Sequence, residues 1–424
     1  MKFLPLIHSR AARGAALLFS LGPLAALPVR ADAVFSWNEA MLHVAAATAG
    51  TQPLHLEARS CAMAHLAMTD ALERLGALEP DAELPARRAA VLTAAHAVLV
   101  AQFPAGRTLF DALAERQLAG LPAGAGRDRG VAAGRAAAQR VLEQRAHDGW
   151  EQVGSAASAA DRAGAAGRAA QQGESAPSPW RDVRMFALSS AEQFAVAEIR
   201  TVRASGEIHV DPTLLDARLF DGVDRAAALA ARDGFWAQSP VVAWNRIARQ
   251  ACVQRATDLR DQARLLAALN VALADAIVSA RHARHVVGSW RTVPTEIWRP
   301  VEAGSALSGD VLARIDDGER FEHVRLEHGR MLIPPTGDYP AVTATVAGAA
   351  QAVLTAYFQG DTTGFNLPGK TSARTFPGFA AAAREQAFVA SLDGVHSRES
   401  CVAGYRLGAE IGRFAGRRPA FAQR

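Results

Sequence analysis

Lysine is almost absent from this chain of 424 residues, because only Lys2 and Lys370 stand among its 46 basic residues. The remaining basic residues are arginines, a bias that indicates GC-rich coding more than a binding role. The chain also has little excess charge of either sign, because 46 basic and 42 acidic residues leave a formal net charge of only +4. The sequence therefore gives no electrostatic reason to expect a nucleic-acid-binding protein.

Cysteine is nearly as scarce, with Cys61, Cys252 and Cys401 spread over the chain. Three distant cysteines are too few for a disulfide framework. One bridge stays open in an oxidising compartment, whereas buried free thiols are the commoner state for Cys61 and Cys252, which lie on predicted helices. Aromatic residues make up only 6%, but a hydrophobic content of 50% excludes a disordered protein and suits one large core or two domains.

Residues 1–33 have the features of a signal peptide. A cationic start precedes an apolar stretch, Ala15 to Val29, and Ala31 and Ala33 place small residues at the cleavage-site positions. We expect export to the periplasm or the medium, with an uncleaved anchor as the alternative. No other segment is expected to cross a bilayer. The leader holds four basic residues and one acidic residue, so its removal leaves a formal charge of +1.

Hydrophobic periodicity predicts an all-α protein. Apolar residues recur at helical spacing from Cys61 to Leu75 and again from Leu266 to Ala280. Further helices are predicted over Arg88 to Gln102, Leu109 to Leu118, Gly130 to Asp148, Asp224 to Gly234, Ser239 to Arg255, Ala341 to Phe358, Phe379 to Leu392 and His396 to Ala415. Strand signal is weak, and Glu207 to Val210 is the best short candidate.

Composition divides the chain after the leader. We predict an N-terminal helical layer over 34–153, a flexible linker rich in Ala, Gly and Ser over 154–179, and a C-terminal helical core over 180–424. Residues 300–335 read as a long surface loop, which in a helical protein often borders a site. The sequence holds no HExxH, paired CxxC or nucleotide-binding glycine loop in a suitable setting.

Four segments together resemble one family: Phe35 to Ala40, Ala58 to Ala71, Ala263 to Ala276 and Ile333 to Pro340. In order and spacing they are similar to the bacterial vanadium-dependent haloperoxidases, which share their helical fold with the type 2 phosphatidic acid phosphatases. The resemblance spans nearly the whole mature chain. It implies an all-α bundle that holds a tetrahedral oxyanion, vanadate or phosphate, between helices.

In that family a lysine and two arginines neutralise the anion, a serine hydroxyl and a glycine N–H bond its oxygens, and two histidines act as ligand or nucleophile and as acid or base. The ungapped register places the lysine at Arg284 and the first arginine at Arg291, and a competing register places that arginine at Arg299. His396 stands where the family has its metal-binding histidine. By resemblance, Arg284, Arg291 and His396 would hold vanadate.

Other family positions carry different side chains here. The Pro-Ser-Gly-His signature becomes Pro340, Ala341, Val342 and Thr343, so the hydroxyl, the glycine and the acid–base histidine are replaced. The second arginine and the aspartate of the family correspond to the residues Ala390 and Ser400. Thr343 is the one polar group left in the first signature, as a candidate catalytic hydrogen-bond donor.

The resemblance implies a haloperoxidase-like protein that uses peroxide and halide, and the incomplete signature leaves two alternatives open. One is a phosphatase-like hydrolase that uses His396; the other is a non-catalytic anion-binding or scaffold protein, with a homo-oligomer as an open arrangement. A structural interpretation also stands for each residue: a solvated arginine face for Arg284 and Arg291, and bonds to nearby backbone for Thr343 and His396. Substitutes for the missing histidine are His282, His323 and His328.

Overall fold

A computed structural model describes the chain over residues 32–48, 53–78, 83–150, 153, 178–194, 200–201, 208–209, 217–232, 234–287, 325–327, 330–332, 339–367, 373–392, 396 and 398–418. Helices dominate these residues, and the strands are only two or three residues long. The all-α prediction is confirmed. Residues 1–31 of the predicted leader (1–33) and residues 154–177 of the predicted linker (154–179) lie outside the described residues.

The N-terminal helices are α1 (Ala33–Ala47), α2 (Leu54–Leu78), α3 (Leu84–Gln102), α4 (Arg107–Ala119) and α5 (Ala125–Arg145), with a 3-10 turn at Pro104–Gly106. Small residues let α3 and α5 approach closely: a methyl group on Gly134 would meet the backbone of Ala90. Helix α2 packs against both α3 and α5 and presents its other side to the C-terminal half of the chain.

The C-terminal half holds a 3-10 turn (Ala217–Phe220), α6 (Arg225–Arg232), α7 (Pro240–Gln254), α8 (Leu259–Val287), α9 (Val342–Tyr357), α10 (Phe379–Leu392) and α11 (Arg398–Gly416). Local sequence explains several boundaries. Helix α7 begins where the Ser239 hydroxyl accepts a hydrogen bond from the Val241 N–H at 3.2 Å, with Pro240 in the first turn.

Helix α8 lies at the centre of the molecule. It packs against α2, α7, α9 and α11, and every residue from Ala263 to Ala280 is buried. The predicted apolar face from Leu266 to Ala280 is confirmed, but the opposite face is buried as well. By length and hydropathy alone, α3 and α8 are both long and apolar enough to cross a bilayer. The expectation that no segment after the leader meets these two criteria is therefore wrong. Burial of 94% of the apolar window of α8 inside the protein is typical of a core helix.

Three antiparallel pairs supply the strands. β1 (Arg200–Thr201) pairs with β2 (Ile208–His209), which lies within the predicted strand at 207–210. β3 (Arg325–Glu327) pairs with β4 (Arg330–Leu332), so the prediction of irregular loop over 300–335 is wrong for these six residues. β5 (Phe365–Leu367) pairs with β6 (Arg374–Phe376), a hairpin that the periodicity did not predict.

One continuous hydrophobic cluster contains residues from both halves of the chain, including Trp37 of α1, Leu269 of α8 and Phe379 of α10. The division into a layer over 34–153 and a core over 180–424 stays a prediction. Cys61, Cys252 and Cys401 are all buried free thiols, as expected for the first two. Burial raises the pKa of Cys252 to about 12, so the thiol stays protonated at neutral pH.

Candidate oxyanion site

The predicted site lies where the start of α9 meets the start of α11. The Ala341 N–H, just before α9, donates a hydrogen bond to the Ser400 carbonyl at 3.0 Å. Gly404 of α11 lies against the Ala341 carbonyl so closely that a methyl group there would overlap it. The same close contact recurs one turn later between Gly408 and Thr345. Glycine is needed at these positions because the two helix backbones nearly touch.

Three of the predicted residues lie on elements that pack against one another. Thr343 is half-buried in the first turn of α9, His396 is half-buried just before α11, and Arg284 is half-buried near the end of α8. Helix α8 contacts α9 and α11, and α9 contacts α11. The three helices on or beside which these residues lie therefore pack against one another, and the bond between Ala341 and Ser400 joins the starts of α9 and α11. Arg291, Arg299, His323 and His328 lie outside the described residues.

The replaced positions are buried and well packed. Ala341 and Ser400 are fully buried, and Ala390 is 3% exposed near the end of α10. No guanidinium extends from position 390 and no hydroxyl from position 341, and the Ala341 N–H is already used by Ser400. The candidate substitute His282 is buried, with its Nε2 3.0 Å from a carboxylate oxygen of Glu192, so its ring is held by an ion-pair partner.

Vanadate places strict demands on such a site, since its oxygens need several fixed donors and cations in a partly dry pocket. Among the described residues, the start of α9 supplies a threonine hydroxyl where the family has serine, glycine and histidine donors, and α10 supplies no cation at the arginine position. The described part of the chain also has no group of three or more His, Cys, Asp or Glu side chains that could hold a metal ion. The described residues do not fit vanadate by the family's pattern.

The segments that carry the resemblance do form a site of another kind, a buried polar cluster at the centre of the fold. Its members are Asn38 of α1, His65 of α2, Asn245 of α7 and Asn270 of α8, all of them fully buried. Asn38 donates to Asn245 at 2.9 Å and to the His65 Nε2 at 3.1 Å. Asn245 and Asn270 exchange amide hydrogen bonds of 2.8 and 2.9 Å. Four helices are thereby fixed to one another.

His65 is neutral in this cluster. Burial lowers the pKa of its imidazole to about 4. Its Nδ1 lies 2.8 Å from the Cys61 carbonyl, which accepts a hydrogen bond from the Nδ1–H tautomer and leaves Nε2 as the acceptor for Asn38. The ring therefore holds helix positions and is unsuited to shuttle protons near neutral pH.

A second buried polar group joins α8 to the segment 178–194. The Asp275 carboxylate accepts hydrogen bonds from the backbone N–H groups of Phe186, Ala187 and Leu188 at 2.8, 2.7 and 2.9 Å. Arg145 strengthens this junction, since its guanidinium donates to the Arg184 carbonyl at 2.8 Å. Burial raises the pKa of Asp275 to about 6, against the effect of the three N–H donors.

Sequence reasoning used Asn38, His65, Asn270 and Asp275 only as parts of a resemblance, assigned them no role and did not single out Asn245. A signal was present, because Asn270 and Asp275 are polar residues inside the stretch 265–278 of α8, which is otherwise apolar. Such residues need buried partners. The partners themselves come from distant segments, and the sequence pattern does not identify them.

Comparison with known proteins agrees with this architecture. Residues 264–420 match the family model of the VCPO second helical-bundle domain. A bacterial vanadium-dependent iodoperoxidase of known structure is 18% identical, with a TM-score of 0.58 over 90% of this chain and 94% of its own. A holo-type bacterial vanadium-dependent chloroperoxidase is 13% identical, with a TM-score of 0.55 over 88% of this chain and 94% of its own. Curated protein sequences include no match to the chain.

These likenesses confirm the resemblance that the sequence segments indicated, and at such low identity the solved structures establish the fold alone. The chain has the helical-bundle fold of the bacterial vanadium-dependent haloperoxidases, and its residues 264–420 correspond to their second helical-bundle domain.

Proposed function

We propose that this chain is a haloperoxidase-like protein that keeps the family scaffold and does not perform the family's vanadate chemistry. One observation carries the proposal: the buried positions where the resemblance implies a hydroxyl and a guanidinium hold Ala341 and Ala390, and the Ala341 N–H is hydrogen bonded to the Ser400 carbonyl at 3.0 Å. That N–H group is therefore not available to an oxyanion.

The energetic argument is direct. Loss of one preorganised oxyanion donor costs about 2.7 to 4 kcal/mol of transition-state stabilisation, or roughly 10² to 10³ in rate. The hydroxyl at Ala341, the acid–base imidazole at Thr343 and the guanidinium at Ala390 are all absent. Even without additivity, three such losses remove most of an enzyme's advantage over the uncatalysed reaction. Oxidation of halide by peroxide at this site is therefore expected to be negligible.

Vanadate binding to the purified mature protein tests the proposal, followed by vanadium NMR and by peroxide-dependent iodide and bromide oxidation. We expect neither binding up to millimolar vanadate nor halide oxidation above a heat-denatured control. Tight vanadate binding that is lost in both His396→Ala and Arg284→Ala would overturn the proposal. Fractionation of a producing bacterium tests export separately, because the leader predicts the processed chain in the periplasm or the medium.

A phosphatase-like reaction is the second candidate, favoured by one observation. His396 stays half-buried just before α11, on an element that contacts the start of α9. A histidine there would attack phosphorus and displace the alcohol of the phosphate ester, which forms a phosphohistidine, and water would then hydrolyse the N–P bond to release phosphate and the free histidine. Release of phosphate from p-nitrophenyl phosphate, abolished in His396→Ala, would support this candidate, and equal rates in both proteins would exclude it.

A further inference from the structure

A groove rich in arginine runs along the outside of α10 and α11, beneath the 3-10 turn at Ala217–Phe220. One end is a cavity of about 370 Å³, and among its lining groups are three guanidinium side chains, Arg218, Arg384 and Arg406, and the side chain of Tyr405. The other end is a cavity of about 240 Å³.

The second cavity continues the first. Arg225 and Arg398 line it together with Phe220 and Phe388. Leu219 lines the first cavity and Phe220 the second, and these two residues are adjacent in the chain.

The lining residues of α10 and α11 also place the two cavities next to each other along the helices. Arg384 and Phe388 are one turn apart on α10, and Val402 and Arg398 are one turn apart on α11. Since α10 and α11 pass the two cavities in opposite directions, the cavities are successive compartments of one groove.

Charge in this groove is strongly one-sided. Among the described residues, five arginines line it and Asp221 is the one acidic lining residue, whereas the whole chain is nearly balanced at 46 basic to 42 acidic residues. The neighbouring carboxylate of Glu385 is held by Arg374 and by the Trp236 indole N–H. The charge of Asp361 contributes to the raised pKa of Tyr405, so this carboxylate also lies near the groove. It already accepts a hydrogen bond from the Ala380 N–H at 3.0 Å, at the start of α10.

Contacts with neighbouring groups hold two of these arginines in place. The Arg398 guanidinium lies 5.3 Å from the centre of the Phe220 ring, and the Arg384 Nε donates to the Ala380 carbonyl at 3.3 Å. Tyr405 is fixed by its hydroxyl, which donates to Gln351 at 3.3 Å. Planar guanidinium groups held in this way suit carboxylate and phosphate ligands.

Apolar side chains also line both compartments, Leu219 and Val402 in the first and Phe220 and Phe388 in the second. Arg398 and Arg406 are eight residues apart on α11, which corresponds to about 12 Å. We propose that this groove binds a small organic dianion, with a carboxylate or phosphate group at each end of an apolar chain of matching length. The groove lies on another face of α11 than Gly404 and Gly408, which pack on α9, so this proposal is independent of the oxyanion site.

Calorimetric titration of the full chain tests it with four probes of equal chain length. Suberate and hexane-1,6-bisphosphonate each have six methylene groups between two anionic ends, octanoate carries one anion, and 1,8-octanediol carries none. We expect both dianions to bind, octanoate to bind at least about tenfold more weakly and the diol not to bind. The stronger of the two dianions identifies the preferred anionic group. Equal affinity for suberate and octanoate would overturn the two-ended model.

Variants locate the site. Arg384→Gln and Arg398→Gln remove one cation from each compartment and should each weaken dianion binding about tenfold or more. Arg135→Gln changes the net charge equally on the exposed surface of α5 and should leave binding unchanged. Thermal unfolding of each variant establishes that it is folded. No dianion binding to the parent, or an equal loss in Arg135→Gln, would refute the proposal.

Discussion

Glu57 provides the sharpest test of how this fold treats buried charge. It lies in the first turn of α2, is only 5% exposed, and accepts a hydrogen bond of 2.6 Å from the Ser239 hydroxyl at the start of α7. Burial raises the pKa of its carboxyl from 4.5 to about 7. The single hydroxyl partner does not compensate for the loss of water around the charged form.

The direction of the pH effect follows from proton binding. Between about pH 4.5 and 7 the folded protein holds this proton and the unfolded chain releases it, so the free energy of unfolding falls as pH rises through that window. The rise in pKa corresponds to about 3 kcal/mol in the free energy of unfolding. This contribution is present below the window and lost above it. Glu57→Gln keeps the shape and the acceptor oxygen but cannot ionise. We therefore expect the variant to be more stable than the parent at pH 8 by about 2 to 3 kcal/mol.

Urea unfolding of both proteins at pH 5, 6, 7 and 8, followed by circular dichroism, measures this difference. Other buried carboxyls, such as Asp275, also titrate in this range, and the difference between parent and variant removes their contribution. Glu73→Gln is the matched control, because Glu73 lies exposed on the same helix and should alter stability little at any of these pH values. A difference between parent and Glu57→Gln that does not grow with pH would refute the reasoning.

Three further substitutions test the buried contacts by urea unfolding at pH 7. Asn270→Ala removes both hydrogen bonds that Asn270 exchanges with Asn245 and should cost about 2 to 4 kcal/mol; a loss under about 1 kcal/mol would contradict a role for the polar cluster. Asp275→Ala leaves three buried N–H groups without their acceptor and should cost about 3 to 5 kcal/mol, and a neutral result would contradict the clamp. Gly404→Ala should cost about 1 to 3 kcal/mol, whereas Gly416→Ala, where a methyl group meets only ordinary contacts, should be nearly neutral.

Helix positions were predictable from the sequence because long apolar repeats at helical spacing dominate it. The repeat from Leu266 to Ala280 predicted the central part of α8, which extends from Leu259 to Val287 and is buried on all sides over that part. The hairpin of β5 and β6 was not predictable, since three-residue strands carry too few alternations to stand out from loop. What holds it, a buried Phe365 stacked near Phe379 of α10, depends on tertiary contacts.

Only those features of the candidate site that depend on spacing within one helix could be predicted from the sequence. Spacing along one helix brings Gly404 and Gly408 to one face, and both indeed contact α9. The hydrogen bond between Ala341 and Ser400 joins backbone groups 59 positions apart, and backbone groups leave no mark in the pattern of side chains. The Asn38–His65–Asn245–Asn270 cluster likewise draws on four helices, so its existence could be expected from buried polar residues but its partners could not.

A bundle of this kind can keep its fold and lose its chemistry, because the residues that hold the core stabilise the protein and the residues of an oxyanion site destabilise it. Replacing Asn245 or Asn270 by an apolar residue removes the two hydrogen bonds between these buried amides, which destabilises the core. Ala341, Val342 and Ala390 show the reverse case, because they fill catalytic positions with small or apolar side chains that are buried without any polar group to satisfy. Oxyanion sites instead gather like-charged and unpaired groups, which cost stability when no anion is bound. Loss of that site is therefore expected to stabilise the scaffold, so a helical bundle of this kind can persist without vanadate chemistry, as we propose for this chain.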